Sequence, residues 1–303
     1  MLILALDIIH GYAKLMIEPS QRPDAYVGIS GVVSAEQQTE IEQYAETIEL
    51  NTRRLMLGVK AVHKTQFLDI ENKYGPAWYP VGEAAFTSAL RSRGSRDGSL
   101  AIAQTYLDPD LVENPGYRFF FMNRLLQRGA PWIDGIQFDM LPWHTHPEML
   151  DFLEELKERT ATKILLQVHQ PAMNTLSPEG VAGILGEYRD TLDYVLFDSS
   201  HGTGKRLDTS ALIEYLSAVY ESPELTNTGF ALAGGLNRDT VLEELPKVLE
   251  KFPDISWDAE GQLHPATATN ERPLDMKIVS GYLKAAKEVS DKLGYNGRTT
   301  SEP

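Results

Sequence analysis

Apolar positions along the chain follow two alternating periods. Short β-branched and aliphatic runs occur at Ala25–Ile29, Leu55–Ala61, Leu100–Leu107, Ile133–Met140, Lys163–Val168, Tyr194–Phe197, Phe230–Ala233 and Ile255–Trp257. Runs of this length between turn residues predict buried strands. Between them the period lengthens. Ile41, Tyr44, Ala45 and Ile48 fall at i, i+3, i+4 and i+7, and Met149, Phe152, Leu153 and Leu156 repeat the spacing. Such spacing lays one apolar stripe along a helix. Helices are predicted over Ser34–Leu50, Glu83–Leu90, Phe119–Arg128, Pro147–Arg159, Pro178–Arg189, Asp208–Tyr220, Arg238–Lys251 and Leu274–Leu293. Eight strand–helix units over about 280 residues match a single (β/α)8 barrel, with an open doubly wound sheet as the competing α/β arrangement.

The expected organisation is an N-terminal hairpin extension over residues 1–24, the barrel over 25–294 and a mobile polar tail over 295–303. The 28 Lys and Arg against 43 Asp and Glu give a net charge of −15. That balance argues against nucleic acid as partner, because backbone phosphates need a basic face. The chain has no Cys, which excludes disulfides, thiolate metal sites and a cysteine nucleophile, and fits a reducing cytosol. No run approaches the roughly 20 apolar residues of a membrane helix. Met1–Ile9 is apolar but carries Asp7 and lacks the basic flank of a signal peptide. A cytoplasmic protein with no membrane partner is expected; a homodimer is compatible with the sequence.

In such barrels ligands bind at the carboxyl ends of the strands, with phosphate often held after strands seven and eight. The sixth strand leads into Asp198 and then Gly202-Thr203-Gly204-Lys205, the seventh into Gly234-Gly235-Leu236-Asn237, and the eighth into Asp258-Ala259-Glu260-Gly261. Without Cβ atoms, Gly234 and Gly235 let the backbone turn sharply and approach a ligand. The helix opening at Asn237 directs its first amides at the same place, which suits an oxyanion. Gly202, Gly204 and Gly261 offer further phosphate-binding backbone. The GTGK stretch is not a P-loop, because the upstream glycine of that pattern is absent. Lys205 meets an anion or is simply solvated.

Phe197-Asp198 with Gly202-Thr203-Gly204-Lys205 and Leu207-Asp208 resembles the sixth-strand signature of phosphoribosylanthranilate isomerase. Phe230–Asn237, reading FALAGGLN, is similar to that family's seventh-strand phosphate loop, and Leu274–Ile278 to the start of its closing helix. Ile29-Ser30-Gly31-Val32 and Ile136-Gln137-Phe138 resemble its first and fourth strands. The resemblance implies a cofactor-free, metal-free Amadori-type isomerase of tryptophan biosynthesis acting on a small phosphorylated metabolite. It implies Asp198 as the general acid that opens the furanose ring.

Two positions depart from the family. Its base cysteine falls at Ser30, and a serine hydroxyl needs a neighbouring base to act. Asp139, His169, Lys60 and His63 are the substitutes considered, with Lys60, Gln137 and Lys205 as substrate contacts. The arginine after strand two is missing, and Lys64 or Lys73 stands nearest to it; Trp78 and Tyr79 either stack on a ring or pack the loop. Another phosphosugar epimerase or aldolase, and a non-catalytic phosphometabolite-binding protein, are the alternative readings. Trp143-His144-Thr145-His146 with Asp139 and His169 reads either as a metal site or, more simply, as packed or solvated histidines. His10 and His264 read as surface histidines, the acidic run Glu148–Glu158 as a solvated face, and Tyr117–Phe121 as core. His264–Pro273 is long enough for a lid.

Overall fold

In the computed structural model eight parallel strands close on themselves. They are β1 (Tyr26–Ser30), β2 (Arg54–Lys60), β3 (Ser99–Thr105), β4 (Gly135–Phe138), β5 (Lys163–His169), β6 (Tyr194–Asp198), β7 (Gly229–Ala233) and β8 (Ser256–Ala259). β1 pairs with β2 at Ile29↔Leu57 and with β8 at Gly28↔Asp258, which closes the barrel and excludes the open sheet. The structure describes residues 22–50, 52–73, 75–91, 99–198, 208–265 and 273–293. The expected hairpin, apart from residues 22–24, and the expected tail lie outside these. So do His10 and the sixth-strand loop with Gly202, Gly204 and Lys205.

The helices are α1 (Ala35–Thr47), α2 (His63–Phe67), α3 (Gly82–Arg91), α4 (Pro109–Glu113), α5 (Pro115–Gly129), α6 (Glu148–Arg159), α7 (Gln170–Thr175), α8 (Pro178–Glu187), α9 (Thr209–Glu221), α10 (Arg238–Leu249) and α11 (Met276–Lys292). Ser34, Asn114, Ser177, Asp208, Asn237 and Asp275 accept hydrogen bonds from first-turn amides of the helices they precede. Each supplies a partner to a donor that the helix itself leaves open. The stripes face the outside of the barrel: Ile41 and Ala45 of α1 and Met149, Phe152, Leu153 and Leu156 of α6 are buried in one apolar layer with outward strand residues such as Val27, Ile29 and Leu57. Tyr117–Phe121 only partly joins it. Phe121 is fully buried, but Tyr117 and Phe120 are exposed, because the helical period turns them outward.

Inward positions, two residues apart along each strand, form two tiers. The lower tier is apolar: Tyr26, Met56, Leu100, Ile102, Leu165, Tyr194, Leu196 and Ala231 pack as one cluster inside the barrel. Burying each of the larger aliphatic side chains contributes about 1.5–3 kcal/mol. The upper tier, at the strands' carboxyl ends, is polar. Gly28 and Gly58 make room for it. A Cβ on Gly28 would lie 2.7 Å from Asp258 Oδ1, and one on Gly58 2.7 Å from both Gln104 Cδ and Ser30 Oγ.

Candidate functional site

The inward parity of each strand continues past the apolar floor and delivers one polar side chain after another to the barrel mouth. Ile102 is followed two residues on by Gln104, Leu165 by Gln167, Leu196 by Asp198 and Gly28 by Ser30. These four are buried, as are Gln137, His169 and Asp258.

Ser30 has a carboxylate neighbour. Its hydroxyl donates to Asp258 Oδ2 at 2.7 Å, and Gln104 Nε2 donates to the same hydroxyl. Gln104 Nε2 also reaches Asp258 Oδ2 at 3.4 Å. Burial pushes the Asp258 carboxyl up from its usual 3.8 to about 7; the Ser30 hydrogen bond pulls the other way, and Glu260 and Asp139 add repulsion. A carboxylate that takes up its proton near neutrality is suited to proton transfer.

Asp198, across the barrel on β6, accepts from Gln167 Nε2 at 3.1 Å. The same amide's Oε1 accepts from the Met140 backbone at 3.1 Å. Met140 holds φ at 57° and is exposed. A non-glycine residue in this left-handed region costs about 1 kcal/mol and is found where the surroundings fix a turn, often at sites. Asp139, just before it, accepts from Gln137 Nε2 at 2.8 Å.

Lys60 joins the two sides. Its Nζ lies 3.0 Å from Glu260 Oε2 and 3.6 Å from Asp139 Oδ2. Burial alone would favour the neutral amine, but Glu260, Tyr79 and Asp139 reverse this and hold the ammonium well above its usual range. Lys60 is therefore no proton acceptor, which removes it from the substitute bases. His63 is removed on geometry: its ring packs against Phe67, Tyr117 and Phe121 on the helical layer. Lys64 and Lys73 are exposed. Asp139 and His169 do reach the mouth, His169 beside Asp198 in the β5–β6 register.

The diglycine turn stands on the same rim as Asp198, since Asp198 pairs with Ala233 and Gly234 follows directly. Gly234 and Gly235 hold φ at 109° and 62°, and the turn is half-buried rather than covered. The helix behind it is less open than the sequence suggests. Asn237 Oδ1 accepts from the Asp239 and Thr240 amides, and the Asn237 amide donates to Thr240 Oγ1 at 2.7 Å. This capping box consumes three amides and leaves those of Gly234 and Gly235 outside it. Gly261 is exposed in the short 3-10 turn Gly261–Leu263, with open space where its Cβ would be.

His264 is buried, not a surface residue. Its ring stacks on Trp78 at 3.7 Å and 9°, and its Nε2 lies 3.0 Å from where a Cβ on Gly31 would project. The β2 and β8 loops thus meet over the backbone that follows Ser30. The two members of the His-x-His pair separate. His144 faces Trp143 and His169, while half-buried His146 pairs with Thr145. Among the described residues, no three His, Asp or Glu side chains converge as metal ligands would.

Two shallow cavities of ≈ 340 and ≈ 350 Å³ open at the opposite end of the barrel, lined by residues near strand starts such as Arg54, Lys163 and Asp193. They contain none of the candidate groups; in this fold chemistry is carried at the carboxyl ends. No helix among the described residues is long and apolar enough to cross a membrane.

No protein-family model and no curated protein matches the sequence. Solved structures are. Phosphoribosyl anthranilate isomerase from Thermococcus kodakaraensis is similar at a TM-score of 0.53 and 14% identity, over 87% of this chain and 99% of that one. The tryptophan synthase alpha chain from Legionella pneumophila gives 0.52 and 14%, over 96% and 97%. Active domain 2 of a thermostable chitinase from Pyrococcus furiosus gives 0.54 and 13%, over 92% and 99%. At these identities the shared property is architecture: the chain is a (β/α)8 barrel, and its chemistry has to be argued from the mouth itself.

Proposed function

We propose that the barrel mouth carries out a cofactor-independent acid–base isomerisation of a small phosphorylated sugar-amine. The observation that carries this reading is the Ser30–Asp258 hydrogen bond facing Asp198 across one mouth. Asp198 gives its proton to the ring oxygen as the C1–O bond breaks, and the nitrogen lone pair forms a C1=N iminium. Ser30, relayed to Asp258, then takes the C2 proton. The electron pair of that C–H bond returns through C2–C1 to nitrogen, and the resulting enaminol becomes the ketose. Gly234, Gly235 and Gly261 amides bind the phosphate, with the residue-level likeness to phosphoribosylanthranilate isomerase in support.

Clamping of Lys60 between two carboxylates counts against an aldolase that uses this lysine, because a Schiff base starts from a neutral amine. The test is a panel of phosphorylated aldosylamines followed by ¹³C NMR. The anomeric carbon signal should be replaced by a ketose carbonyl with wild-type protein and persist with Ser30→Ala or Asp198→Asn. Absence of turnover across the panel, with no thermal stabilisation by any phosphosugar, refutes the reading. Binding that survives Asp198→Asn without chemistry in either form supports the non-catalytic alternative instead.

A further inference from the structure

Among the described residues, three carboxylates surround one ammonium at the β2–β4–β8 side of the mouth. Glu260 and Asp139 both approach Lys60, and Asp258 feels all three. The Lys60 charge is already matched, and its side chain is only 12% exposed. The surplus is negative: repulsion from Glu260 and Asp198 adds to the burial that raises Asp139.

A second observation points the same way. Gln104 and Gln137 are 1% and 2% exposed, and the Oε1 of each is buried with no partner among the described residues. Their Nε2 atoms touch Ser30 and Asp139, so both amide groups lie inside this cluster. The unfilled positions are acceptors. A buried acceptor without a donor is costly, so the fitting ligand is rich in N–H and O–H.

On the basis of the isomerase reading, we infer that the nitrogen-bearing end of the substrate lies against Asp139 and Glu260, and that its nitrogen substituent carries no carboxylate. The substrate class is a phosphorylated aldosylamine whose nitrogen is cationic or becomes so. Ring opening creates that positive charge at C1=N, where fixed carboxylates stabilise it; the charge disappears when the C2 proton leaves. Among the described residues, an N-carboxyaryl group would meet like charge here, and the ammonium beside it, Lys60, is already paired with Asp139 and Glu260.

The test uses three stable product-type ligands on the full chain: a 1-amino-1-deoxypentulose 5-phosphate, its N-phenyl derivative and its N-(2-carboxyphenyl) derivative. Calorimetry should rank the amine and the N-phenyl compound at least tenfold tighter than the carboxyphenyl one. Asp139→Asn and Glu260→Gln, each checked for fold by circular dichroism, should narrow that gap severalfold. Equal wild-type affinity for the phenyl and carboxyphenyl compounds overturns this inference while leaving the isomerase reading in place. No binding of any of the three overturns both.

Discussion

Asp258→Asn tests the central electrostatic feature of the mouth through stability as well as activity. Asp258 is 5% exposed and titrates at about 7 in the folded chain against the usual 3.8. Because the folded pKa is raised, the native state holds a proton between these values that the unfolded chain has lost. Stability is then highest below 3.8 and falls as pH rises towards 7, after which this contribution is flat. At about 1.4 kcal/mol per pH unit, the gap amounts to at most about 4 kcal/mol. Asparagine keeps the shape and an oxygen for the Ser30 hydroxyl but never charges. Urea unfolding of both proteins from pH 4 to pH 8.5 isolates the effect, since other groups cancel in the difference. The variant should gain on the wild type by a few kcal/mol across the pH 4–7 window and by nothing further above it. Turnover should move in the opposite sense: wild-type kcat/KM rises through pH 7 as the base ionises, and the variant loses that limb. Parallel stability curves across the whole range would refute the argument that burial, held against Ser30 and Glu260, governs this carboxyl.

Gly58→Ala sets a Cβ 2.7 Å from Ser30 Oγ and Gln104 Cδ; urea unfolding should show a loss of about 1–3 kcal/mol, and turnover should collapse with the displaced hydroxyl. Asn237→Ala removes the acceptor for the Asp239 and Thr240 amides; it should cost about 1 kcal/mol in the same measurement. Trp78→Ala deletes the ring under His264; it should cost about 1 kcal/mol and speed hydrogen exchange at Leu263 and His264, with the barrel strands unchanged.

The strands were legible because each is a short apolar run, and the observed bounds differ from the expected ones by one or two residues at most ends. The fourth is shorter than Ile133–Met140 for local reasons. Asp134 turns its carboxylate to the Ala101 amide at 2.8 Å, and Met140 enters the left-handed region. The positions of Ser30, His169 and Asp198 at strand ends, and of Asp139 and the diglycine turn just beyond them, were legible from where the apolar runs stop. Gln104, Gln167 and Glu260 were not legible as site residues, since a lone polar residue at a strand end looks like ordinary solvation. The available signal was parity: each stands two residues beyond an inward position, in line with Ile102, Leu165 and Asp258. The Trp78–His264 stack gave no such signal, because it joins two loops that only barrel closure brings together. The self-capping of α10 was written in Asn237 and Thr240, three residues apart, and reduces the amides left for an anion.

The apolar floor makes the barrel a cup rather than a tube. If Ser30 lifts a hydron from carbon as proposed, the floor of Tyr26, Met56 and Leu196 gives it no exit beneath. Exchange with the medium runs past the brim, where Trp78 stacks on His264. In deuterated solvent, the isotope found in product therefore reports whether the abstracted hydron exchanges at the brim within a catalytic cycle: retained protium means that it does not, and full washout that it does.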